Sequence, residues 1–79
     1  MLKRLGIAAK EARQTAGIST ARIAAEADVA DFTIRRFEGG HSWPKGGPDY
    51  IVGVYAEQAG VRPVDIWRRA VDLLEQASD

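Results

Sequence analysis

Seventy-nine residues make one small domain, since independent domains run from about 50 to 250 residues. Eleven Lys and Arg balance eleven Asp and Glu, so the net charge is zero and the strongly basic profile of the simplest polyanion binders is excluded. With 46% hydrophobic and 28% charged residues the composition is globular, and the absence of cysteine removes disulfides, cysteine-ligated zinc and thiol catalysis.

The predicted elements are five helices with no strand, an all-α reading. Residues 2–16 are rich in good helix formers, and Gly17 stops the run as a C-terminal cap does. Ser19 is an N-cap for a short helix over about 20–27, with Ile23, Ala24 and Ala27 on one face. Asp28-Val29-Ala30 is a tight connection into a third helix, about 31–38, expected to bury Ala30, Ile34 and Phe37 and to end at Gly39-Gly40. Gly39 to Pro48 holds four glycines and two prolines and reads as a loop. Pro48 opens a fourth helix, about 48–59, closed by Gly60. Pro63 opens the last, about 63–77, with Asp65 in its first turn where the helix dipole favours an acid.

Inventory speaks against an enzyme: no nucleophile–base set and no metal cluster is visible, and His41 is the single histidine. No catalytic residue, metal, cofactor or small-molecule ligand is expected. Apolar runs stay far below the roughly 20 residues of a membrane span, and the start leads into no signal-peptide core, so a cytoplasmic protein without membrane contact is expected.

Charge is unevenly spread. Residues 1–45 hold eight basic and five acidic residues, whereas residues 46–79 hold three basic and six acidic ones. Such a chain can turn its N-terminal half to a polyanion, although a short chain also reaches this split by chance. The third helix sharpens the question. Opposite its inward face stand Phe32, Arg35 and Arg36, with Asp31 and Thr33 on the flanks. Two arginines and an aromatic ring on a short helix fit a major-groove reading element, or are a plainly solvated surface.

The stretch from Ile18 to Gly40 resembles the helix-turn-helix of the phage repressor, Cro-like family. Ile23-Ala24 matches its aliphatic-Ala pair, Asp28-Val29 its turn, Ile34 its inner aliphatic and Phe37-Glu38-Gly39-Gly40 its closing signature. Ala12-Arg13 with Ala16-Gly17-Ile18-Ser19 resembles the end of the family's first helix. Pro44, the face Val52/Tyr55/Ala56/Ala59, Gly60-Val61 and Ile66 resemble its fourth and fifth helices, so the likeness covers about residues 5–66.

This resemblance implies a single lambda-repressor-like domain over 1–79, its helix-turn-helix at about 19–40. It also implies sequence-specific binding of double-stranded DNA by a small Cro-type transcriptional repressor of phage or bacterial origin. The base-edge candidates are then Asp31, Phe32, Thr33, Arg35 and Arg36, and the phosphate candidates are Thr20, Arg22, Ser42 and Lys45. Arg13 and Glu38 match positions that form a structural ion pair in relatives. The loop after the recognition helix lies over the DNA backbone in the family, where its glycine amides would also serve. A connector with Trp43 against the core is the other reading.

The sequence departs from the family at four places. Thr20 and Asp31 stand where Gln is common, Asp28 where Gly is common, and Pro44 lies about three residues further from the fourth helix. An acid at Asp31 repels phosphate but can accept from a cytosine amino group. Neutral charge and Asp31 favour the alternative, a helix-turn-helix module for protein contacts such as an antitoxin or anti-repressor.

The last helix carries two apolar stripes, Ile66/Ala70/Leu73/Ala77 and Trp67/Val71/Leu74. One docks it on the bundle. The second is expected at a homodimer interface suited to a palindromic operator, unless Trp67 only caps the monomer core.

Overall fold

Five helices follow one another in the computed structural model, which describes residues 1–77 with side chains through residue 76. They are α1 (Leu2–Thr15), α2 (Thr20–Ala27), α3 (Asp31–Glu38), α4 (Gly47–Ala59) and α5 (Pro63–Ala77), and no strand occurs among the described residues. The breaks fall where the backbone chemistry demands them. Gly17 takes φ +71° after α1, and Gly60 takes φ +71° after α4. Ser19 caps α2 by accepting the Arg22 amide at 3.1 Å, and Pro48 sits in the first turn of α4. Asp28 ends α2 in the left-handed region at φ 57°, the one non-glycine residue there among those described.

The core draws on every helix. Leu5 of α1, Ile23 of α2, Ile34 and Phe37 of α3, Ile51, Val52 and Tyr55 of α4 and Ile66 of α5 are fully buried. Helix α1 packs on α3, α4 and α5, while α2 packs on α3 and α4. Where α1 crosses α3 the backbones nearly touch. A Cβ added at Gly6 would stand 2.3 Å from the Phe37 carbonyl oxygen, so this crossing admits only glycine without movement. At the other end, Arg69 of α5 donates to Glu11 of α1 at 2.8 Å and holds that carboxyl below its usual range.

One inward assignment is corrected. Ala30 is exposed: it is the N-cap of α3, with φ −73° and ψ 148°, so the helical periodicity that would turn it inward has not yet begun. The third inward position is instead Glu38. On α5, Ile66 and Ala70 are buried and Leu73 packs against the core, so this stripe docks the helix. The side chain of Ala77, expected on the same stripe, lies outside the described residues.

Candidate nucleic-acid interface

Helices α2 and α3 are each eight residues long and are joined by three residues, Asp28 to Ala30. The short connection holds because Val29 donates to the Ala24 carbonyl at 3.0 Å, folding the chain back over the end of α2. With Ile34, Phe37 and Glu38 buried, α3 presents Phe32, Arg35 and Arg36 to solvent. Phe32 is 64% exposed, an unusual position for a large ring. The Arg36 guanidinium carbon lies 5.9 Å from its centroid, so cation and ring form one unit.

At the head of α3, Arg35 Nε donates to Asp31 Oδ2 at 2.6 Å, one helical turn apart. The neighbouring Thr20 side chain and then the Arg35 guanidinium hold the Asp31 carboxyl below its usual range. Oδ1 is shielded from solvent and takes no hydrogen bond. Thr20, Arg35 and Lys10 line a cleft of about 310 Å³ together with Arg13, Glu38 and Gly39. Lys10 was not among the sequence candidates. Its signal is spacing: three residues before Arg13 on α1, it shares the face that turns toward α3.

Behind this surface stands a buried charge cluster. Arg13 Nε and Nη2 donate to the two oxygens of Glu38 at 2.7 and 2.9 Å, and Nη1 donates to the Ile18 carbonyl at 2.9 Å. The Tyr55 hydroxyl donates to Glu38 Oε2 at 2.7 Å. Tyr55 is a partner that periodicity could not announce, since it marked only a core face of α4. Desolvation, then the contact with Glu38, pushes the Tyr55 hydroxyl above the ordinary phenol range, so it stays a donor. The Arg13 guanidinium is likewise held charged by Glu38.

The flanking candidates divide. Thr20 is half-buried beside Asp31, and Thr33 is half-buried with its amide donating to the Ala30 carbonyl. Arg22 is turned to α4, where its Nε donates to Gln58 Oε1 at 3.0 Å. Ser42 is half-buried. Lys45 is exposed and borders a cleft of about 250 Å³ with Asp28, Val29 and Tyr50, apart from the Arg35 cleft. Of the loop amides expected to be available, those of Gly39, Gly40 and Gly47 already donate to the Arg35, Phe37 and Pro44 carbonyls. They close turns, because each carbonyl lies only three or four residues upstream. Trp43 leans on Phe37, ring centroids 6.0 Å apart, while remaining 39% exposed.

No protein-family model, curated protein or solved structure matches this chain. Among the described residues no group of three His, Asp or Glu side chains could hold a metal ion, and no helix is long and apolar enough to cross a membrane.

On α5, Val71 and Leu74 are each 41% exposed, and Trp67 is half-buried against the core beside them. Trp67 therefore belongs to both surfaces.

Proposed function

We propose that this chain is a small Cro-type transcriptional repressor with a lambda-repressor-like helix-turn-helix, binding double-stranded DNA sequence-specifically in a bacterial cytoplasm. The observation that carries the reading is the exposed face of α3: Phe32 and Arg36 stacked together with Arg35 beside them, on a helix backed by the Glu38 cluster. A large ring held in water beside two cations has little structural purpose, and it suits contact with base edges and thymine methyl groups. Arg36 and Phe32 are the central base contacts, with Arg35 and Thr33 around them and Asp31 beside Arg35. Thr20, Ser42 and Lys45 are the phosphate contacts, and Lys10 joins them as a cation on the same side as Arg35. Arg22, with its Nε on Gln58, offers a phosphate its two terminal nitrogens. A domain with so few basic residues neutralises few phosphates, so useful affinity calls for two copies on a palindromic operator, joined through the Trp67/Val71/Leu74 face.

The zero net charge favours a second reading, a protein-contact module of antitoxin or anti-repressor type. One experiment separates them: selection of bound sequences from a random duplex pool at two salt concentrations. An enriched palindrome is the expected result, and a pool that stays random at low salt favours the protein-contact module.

A further inference from the structure

A helix that faces a polyanion has reason to avoid an acid at its tip, yet α3 opens with Asp31. The inference drawn from this rests on the DNA-binding reading. The helix dipole favours an acid in the first turn and the exposed Asp31–Arg35 pair adds little to the fold, so stability alone does not call for an arginine one turn further on. What the pair does constrain is the arginine. A guanidinium carries five N–H donors in a planar fork, and the bond to Oδ2 uses the one on Nε. Among the described residues the donors on the two terminal nitrogens make no hydrogen bond. An untethered arginine spreads over many rotamers, whereas one held at Nε keeps the plane that the carboxylate sets. The same carboxylate offsets the charge that would otherwise draw Arg35 to the nearest phosphate. Asp31 is itself fenced by Thr20 at the head of α2.

We propose that Asp31 is a positioning residue that fixes Arg35 for guanine: Oδ2 holds Nε, and the terminal nitrogens present a planar fork to N7 and O6 of one guanine in the major groove. Arg35 thereby becomes a reader of sequence rather than a backbone anchor, and Asp31 sets specificity without touching the base.

The test compares wild type, Asp31→Ala, the near-isosteric Asp31→Asn, Arg35→Ala and the double variant Asp31→Ala/Arg35→Ala. Each is put through selection from the random duplex pool and then titrated with the selected and a scrambled duplex at several salt concentrations. Melting curves establish that each variant is folded. The wild-type site is expected to contain one guanine per half-site whose preference disappears in Arg35→Ala. Both Asp31 variants should weaken preference for that same guanine, within the roughly five- to 150-fold range that a bidentate pair commands. Their affinity for scrambled DNA should rise, and the slope of log affinity on log salt should steepen by about 0.9 as Arg35 moves to a phosphate. The double variant should lose nothing further at that base. An unchanged guanine preference in the Asp31 variants overturns the proposal. So does an equal gain on both duplexes, which is charge repulsion alone. So does a cytosine preference lost with Asp31 but kept in Arg35→Ala, which would make Asp31 itself the reader. If wild type enriches no duplex, the DNA-binding reading fails and this proposal with it; an enriched wild-type site with unaltered Asp31 profiles removes this proposal alone.

Discussion

The Tyr55 hydroxyl and the Arg13 Nε–H meet on one oxygen, Oε2 of Glu38, each at 2.7 Å. That oxygen ties α1 and α4 to the last residue of α3. A carboxylate taken out of water is tolerated only when paired and hydrogen-bonded, and this one has three donors from two helices.

Breaking the cluster from any side should cost stability. With side-chain exposures of 12% for Arg13 and 6% for Glu38, removal of either partner strands a buried charge. Arg13→Ala should lower unfolding free energy by about 3 kcal/mol, and Tyr55→Phe by about 1.5–3 kcal/mol, the worth of a hydrogen bond to a charged group. Denaturant midpoints check both. The double variant Arg13→Ala/Glu38→Ala should cost less than the sum of the singles, because it leaves no unpaired charge.

Gly6→Ala separates helix propensity from packing. Propensity alone favours alanine by up to about 1 kcal/mol in a helix interior. The added methyl, however, would meet the Phe37 carbonyl oxygen at 2.3 Å, backbone against backbone. Forced separation of α1 from α3 should win, with a net loss of about 1–3 kcal/mol. A raised melting temperature would refute the close crossing.

On the surface of α3 the expectation is reversed: binding is lost and the fold is kept. Arg36→Ala should reduce discrimination between the selected duplex and its single-base variants by about 1–3 kcal/mol at one base pair, with an unchanged melting temperature. Phe32→Ala should cost less in the Arg36→Ala background than in wild type, since the ring and the guanidinium lie 5.9 Å apart and steady each other. Titration of the selected duplex with the four proteins of this cycle measures the coupling.

For self-association the informative position is Val71, because Trp67 leans on the core and its replacement would disturb the fold as well. Val71→Asp should leave the melting curve of the monomer nearly unchanged, reduce the mass seen by light scattering to that of one chain, and weaken operator binding by about 10² or more. A wild-type protein that is already monomeric at high concentration rules out a solution dimer through this face.

The helices were legible in the sequence because their ends are written in local chemistry: Gly17, Ser19, Gly39, Pro48, Gly60 and Pro63 each change what the backbone can do within a residue or two. The exposed set Phe32, Arg35 and Arg36 was legible for a similar reason, since two buried positions fix the phase of a helix. Ala30 shows the limit of that rule, which holds only inside the helix and not at its cap. The Arg13–Glu38 pair, implied by the family resemblance, is present, but other contacts between distant elements were not legible. Nothing near Gly6 in the chain says that Phe37 lies against it, nothing near Arg22 announces Gln58, and a hydrophobic periodicity counts Tyr55 as bulk without aiming its hydroxyl.

An eight-residue helix does not hold its shape alone in water, where stable isolated helices need about 12–15 residues. Helix α3 is held by Ile34 and Phe37 in the core, by α1 lying against its tail at Gly6, and by Glu38, gripped from two sides. Any partner that lands on Phe32 and Arg36 therefore meets a surface already ordered, and little coil-to-helix entropy is spent on docking. The heat-capacity change of association should then follow from the contact area alone. In a Glu38→Ala protein the tail of α3 loses that grip, and whatever ordering the same partner then imposes on it would register in calorimetry as a larger negative heat-capacity change for an unchanged interface.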